Sequence, residues 1–193
     1  MATTFTMNPG QIAYYEAAGW RAYYDRKWLK MLRLLLQSLQ EQFRIPFPMS
    51  LLAAYHTTRA SRLWVPVDHD EQKVLTYLTK FYSVARRYSG LRFDVREVAR
   101  LELQYFEVHR RLSGKPEKEE FLQTLIALHS AIFALSPEAV RESAEWRLKA
   151  ANIVDLITSR ASTNIEEDWR ALEDYLRRCY SSIQQALDTS SAR

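Results

Sequence analysis

The stretch IEEDWRALEDYLRRCYSSIQQA, residues 165–186, decides the fold class. Ile165, Trp169, Leu172, Leu176, Cys179, Ile183 and Ala186 follow one another in alternating steps of four and three. That period fits a helix with one apolar stripe packed into a bundle seam, and no β-strand repeats in this way. The same spacing recurs upstream in Trp28, Leu32, Leu35 and Leu39, widened by Leu29, Leu34 and Leu36. So wide a face must bury more than one side of its helix, either centrally in a bundle or in a dimer contact.

Capping signals divide the rest of the chain. Asn8-Pro9-Gly10-Gln11 supplies an N-cap, a first-position proline and a capping glutamine, which predicts one long helix over 9–43, roughly 50 Å in length. Gly19 is a place where that helix could bend. The prolines of Ile45-Pro46-Phe47-Pro48 force a turn before a helix over 49–63. Asp94 with Glu97 and Thr163 with Glu166 have capping-box spacing and open helices over 95–112 and 164–187, and Ser136-Pro137-Glu138 opens another that runs to 160. Gly90 and Gly114 stand where C-terminal caps belong. With segments near 69–89 and 117–134, the expectation is an all-α, single-domain helical bundle of about seven helices with a long N-terminal helix. It spans residues 1–193, with flexible ends over 1–8 and 189–193.

Composition agrees with that class: 47% hydrophobic, 26% charged, and Gly scarce at 4 residues of 193. The single cysteine, Cys179, excludes an internal disulfide and a Cys-based zinc site within one chain, which fits a cytoplasmic location. No basic-then-apolar leader precedes the first helix. The longest apolar run, residues 122–135, is interrupted by Gln123, Thr124, His129 and Ser130 and is too short for a bilayer, so no membrane partner is expected. Gly is also too rare for phosphate loops or nucleophile elbows, which removes P-loop nucleotide hydrolysis.

Charge is uneven. Residues 1–115 hold 18 Lys/Arg against 10 Asp/Glu, and residues 116–193 hold 9 against 13, within a chain of net +4. Complementarity between two halves of one bundle accounts for this without a nucleic-acid partner. The stretch AYYEAAGWRAYYDRKW, residues 13–28, interleaves aromatic and basic side chains. At helical spacing it reads as a core edge or a homodimer interface in the first helix rather than a surface for stacking bases.

Asp68-His69-Asp70 resembles a metal triplet, yet Asp68 and Glu71 have capping-box spacing, and consecutive helical residues diverge by about 100°. A helix start explains the triplet. More informative are polar residues on otherwise apolar stripes. Val95, Ala99, Glu102, Phe106 and His109 share one stripe, Leu122, Ile126, His129 and Phe133 another, and Ala144, Leu148, Ala151 and Asp155 a third. His129 is the expected buried histidine. Glu102, His109, His129 and Asp155, with His56 and Arg59 from the polar helix over 49–63, are the candidate binding residues for a small ligand, cofactor or metal in a cavity between helices. The paired Glu-x-x-His repeats of di-iron bundles are absent, and no cofactor is specified. His56, His69-Asp70 and Asp155 match a His-Asp phosphohydrolase in order only. Three readings stay open: a ligand-binding bundle, a non-catalytic interaction or dimerising bundle, and a metal-dependent enzyme.

Overall fold

Apolar residues at helical spacing build eight α-helices in the computed structural model, which describes residues 5–191. They are α1 (Pro9–Tyr24), α2 (Trp28–Phe43), α3 (Met49–Trp64), α4 (Glu71–Ser89), α5 (Val95–Leu112), α6 (Glu119–Phe133), α7 (Pro137–Thr158) and α8 (Ile165–Ser191). No strand occurs among the described residues. Of the two ends expected to be flexible, residues 1–4 and 192–193 lie outside the described residues. Phe5 and Met7 are buried, and Met7 N donates to Gln184 Oε1 of α8 at 2.9 Å.

The long first helix over 9–43 does not form; α1 and α2 are an antiparallel-type hairpin instead. Arg26, at φ 58°, takes the left-handed position after the Asp25 cap. Lys27 N then bonds Ala22 O at 2.8 Å and Arg26 N bonds Tyr23 O at 3.0 Å, the two bonds of a Schellman close. Glycine normally marks that position, and an arginine there leaves no signal in the sequence. Size gives the physical reason for the break. A helix of roughly 50 Å would overrun a domain of this length, whose radius of gyration is about 16 Å. Folding back buries Leu34, Leu39 and Phe43 of α2, while Trp28, Leu29 and Leu32 of its wide apolar face stay exposed.

Other starts shift slightly. The N-cap of α4 is Asp70, not Asp68, and its side chain accepts from Lys73 N at 3.1 Å. α8 is capped by Asn164 rather than Thr163, through Glu167 N at 3.3 Å. Asn8, Asp94 and Ser136 cap α1, α5 and α7 as their spacing predicts.

Each helix packs on the next in sequence, and α8 returns to α1, so the eight form a closed ring. One core takes side chains from all of them, with Ile12, Leu78, Val98, Phe121, Leu125, Val140, Leu172 and Leu176 fully enclosed. On α8 the seam is buried from Trp169 to Ile183, while Ile165 at its head is exposed.

Candidate functional site

Side chains from six helices meet in a polar network inside the ring. Arg147 of α7 stands among Ser143, Ala144, Ala150 and Ala151, small buried residues that give its stem a bed. Its Nη2 lies 2.6 Å from Glu16 Oε1 of α1, with the two side chains only 17% and 13% exposed. Tyr180 of α8 donates its hydroxyl to Glu16 Oε2 at 2.6 Å, and the guanidinium lies 5.3 Å from the Trp20 ring centroid. Burial opposes the charge of Arg147, but Glu16, Tyr180 and Tyr105 hold it protonated well above its ordinary range.

Beside that pair, Tyr82 of α4 donates to Glu102 Oε2 of α5 at 3.1 Å. Burial pushes the Glu102 carboxyl up to about 6, against the opposing hydrogen bond from Tyr82 and the charge of Arg147. His129 of α6 is buried as expected, its Nδ1 2.8 Å from Ser143 Oγ. Ser143 in turn reaches Val140 O at 2.7 Å, so donation from His129 Nδ1–H satisfies all three groups. Burial, reinforced by the charge of Arg147, drives His129 down to about 3 and keeps it neutral. Cys179 is pushed by burial up to about 12, so its thiol is no nucleophile at neutral pH.

The other candidates fall elsewhere. His109 stacks on Phe121, centroids 5.0 Å apart and planes 3° from parallel, and its Nε2 lies 3.3 Å from Asp155 Oδ1. Asp155 also accepts from Ser113 Oγ at 2.8 Å and Gly114 N at 3.4 Å, with Lys118 Nζ 3.5 Å away. Burial alone would raise Asp155, but the neighbouring His109 and the bond from Ser113 outweigh it and hold the carboxyl below its usual range. The cluster clamps the α5–α6 turn onto α7. An open cleft of about 620 Å³ adjoins it, lined by Lys115, Asn152, Asp155 and Ser159 among others. His56 and Arg59 lie on α3 against Tyr77 of α4. Of the metal-like triplet, His69 bonds Pro66 O and Glu107 Oε1, at 3.0 and 3.1 Å.

The six candidates therefore occupy three places: Glu102 and His129 in the interior network, His109 and Asp155 at the α5–α6 turn, His56 and Arg59 on the α3–α4 face. Among the described residues no three His, Cys, Asp or Glu side chains gather within reach of one metal ion. Glu16, Arg147 and Tyr180 escaped the sequence reading. Glu16 is the only acid of α1 and falls between Ile12 and Trp20 on the inward stripe, which is the signal that could have found it.

An exposed group of apolar side chains lies at the tip of the α1–α2 hairpin. Tyr23, Tyr24, Leu32, Trp28 (54% exposed) and Leu29 (87% exposed) stand in the solvent. Tyr23 packs edge-on against Tyr24 and Trp28, at 5.3 and 5.8 Å. Tyr24 reaches Trp169 of α8 at 6.3 Å, and Arg21 pairs with Glu166, so exposed Ile165 extends the patch onto α8. Trp20 is only partly exposed and belongs to the interior. No helix among the described residues is long and apolar enough to cross a membrane. Comparison with protein-family models, with curated proteins and with solved structures finds no match to this chain.

Proposed function

We propose that the protein is a non-catalytic helical interaction protein whose α1–α2 hairpin docks a second copy of the chain. The observation that carries this reading is the exposed set Tyr23, Tyr24, Trp28, Leu29 and Leu32, in which Tyr23 touches both Tyr24 and Trp28, with Ile165 exposed on α8 beside the Arg21–Glu166 pair. Aromatic and aliphatic side chains gathered at one tip lose water contact favourably only against a partner surface. Its edges have opposite charge. Lys30 and Arg33 border it on α2, and Glu167 and Asp168 border it on α8, with α1 between the two, whereas Lys27 and Glu166 are already paired with Asp25 and Arg21 of the same chain. A twofold axis through the patch lays each basic edge on the partner's acidic edge, the self-complementarity an isologous dimer requires. A stable interface takes about 800 Å² from each partner, so these charged edges belong to it.

A ligand in the interior is the weaker reading, because Glu102, His129, Glu16 and Arg147 already satisfy one another or their neighbours. Sedimentation velocity of the wild type, Trp28→Glu and Leu29→Glu tests the proposal. A dimer that both exposed-site substitutions convert to a monomer, with unchanged helical circular dichroism, is the expected result. A wild type that stays monomeric at high micromolar concentration, or variants that remain dimeric, overturns it.

A further inference from the structure

The α3–α4 hairpin has a charge excess that the self-association reading does not use. α3 carries no Asp or Glu, and α4 carries only Glu71, in its first turn. Residues 42–93 hold eight Lys/Arg against three Asp/Glu, a net of +5 within a chain of net +4. Those three acids, Asp68, Asp70 and Glu71, sit together at the start of α4, where Asp70 also pairs with Lys73 at 3.1 Å. The middle of both helices is left with cations alone.

Two of these cations share one ring. Arg59 of α3 and Lys80 of α4 lie 6.0 and 5.1 Å from the Tyr77 ring centroid. Tyr55 packs edge-on against the same ring at 6.2 Å, and His56 lies 6.0 Å from it. His56 Nδ1 is buried there with no hydrogen-bond partner. Neither Arg59 nor Lys80 has a carboxylate partner among the described residues. Like charges gathered at one ring without a counter-charge attract an anion.

We propose that Tyr55, His56, Arg59, Tyr77 and Lys80 form a binding site for the oxyanion of a phosphate or phosphate ester. The guanidinium fork of Arg59 matches two phosphate oxygens, the Lys80 ammonium adds a point charge, and the Tyr77 phenol, which accepts from Tyr55, donates to a remaining lone pair. The site shares no residue with the α1–α2 tip and stands or falls independently of self-association.

A bound anion leaves a signature at two groups. Burial, and then the charge of Lys80, hold His56 below its ordinary value. The neighbouring Tyr55 and Arg59 hold the Tyr77 hydroxyl below its own. An anion beside Lys80 must move both titrations upward.

The test is an NMR titration of the full chain with inorganic phosphate and with phenyl phosphate at constant ionic strength, alongside co-sedimentation with phosphatidylcholine vesicles containing phosphatidic acid. The expected result is saturable millimolar binding of the soluble phosphates, a rise in the His56 midpoint, and binding about tenfold weaker in the Arg59→Gln, Lys80→Gln double variant. Tyr77→Phe, which keeps the ring, should also weaken binding. The double variant Arg86→Gln, Arg87→Gln, elsewhere on α4, should leave it unchanged. Vesicle binding lost with Arg59 and Lys80 assigns the oxyanion to a lipid headgroup, and saturation by soluble phosphate alone assigns it to a free ligand. Absence of both, an unmoved His56, or equal losses in the two double variants overturns the proposal, the last because it signals diffuse attraction only.

Discussion

Replacing Glu102 with Gln should stabilise the protein at neutral pH and leave it unchanged in acid. Glutamine keeps an oxygen to accept the Tyr82 hydroxyl at its present 3.1 Å and removes the charge. The folded carboxyl titrates at about 6 against an ordinary 4.5. An acid whose folded pKa is raised binds its proton more tightly in the native state, so its contribution to stability is present below 4.5 and lost as pH rises through 6. At 1.36 kcal/mol per unit, the penalty at pH 7.5 is about 2 kcal/mol, an upper bound because Glu102 is only partly buried by its surroundings. His129 works in the opposite sense. Its folded pKa of about 3 against 6.5 makes stability fall as pH drops below 6.5, by about 2.7 kcal/mol at pH 4.5. Between 4.5 and 6 the two slopes cancel in the wild type. Urea denaturation from pH 4.5 to 7.5 should therefore show Glu102→Gln gaining about 1–2 kcal/mol at the high end and nothing at the low end. A gain that does not vary with pH would refute a desolvated Glu102.

His129→Leu should be near neutral at pH 7.5, since Ser143 keeps its bond to Val140 O, and should exceed the wild type by about 2 kcal/mol at pH 4.5, read by the same denaturation series. Glu16→Gln and Arg147→Met should each cost about 3–5 kcal/mol, because each leaves the other charge buried and alone; thermal melts that differ little from wild type would count against the pair. Arg26→Gly, at φ 58° and exposed, should add about 0.5–1 kcal/mol by relieving a left-handed conformation. Arg44→Gly, at φ 54°, should add less, since Arg44 bonds Thr6 O at 2.9 Å and lies over the Phe5 ring; equal gains at both positions would contradict this account.

The fold class was legible because helix period and side-chain capping are local. Asn8, Asp94 and Ser136 each announce a start within four residues. The break at Asp25-Arg26-Lys27 was not legible, because no glycine marks it. Arg26, Arg44, Ala134 and Arg160 all hold left-handed positions that glycine usually marks. Only tertiary packing selects those sites, so a local reading passes over them. The candidate residues show the same division. The apolar stripe around His129 identified its burial, whereas the pairing of His109 with Asp155 reaches across from α5 to α7, past the intervening α6, and only the folded chain brings them together.

The interior network is the part a local reading misses most, and the small residues of α7 account for it. α7 offers mainly Ser and Ala toward the core, and a long side chain beside them fills the room they leave. Arg147 does so, its stem on the alanines and its head on Glu16, which also accepts from Tyr180, so that the two ends of the chain meet there. Methionine could span a similar distance, but it would not choose among packings, whereas a buried guanidinium accepts only the arrangement that brings Glu16 to it. The pair thus fixes α1 against α7 and α8 and aims the α1–α2 hairpin, whose exposed tip is the proposed docking surface. If that is its role, the double variant Glu16→Leu, Arg147→Met should regain much of the stability lost by either single change while weakening self-association. Restored stability with an unaltered dimer would assign the network to folding alone.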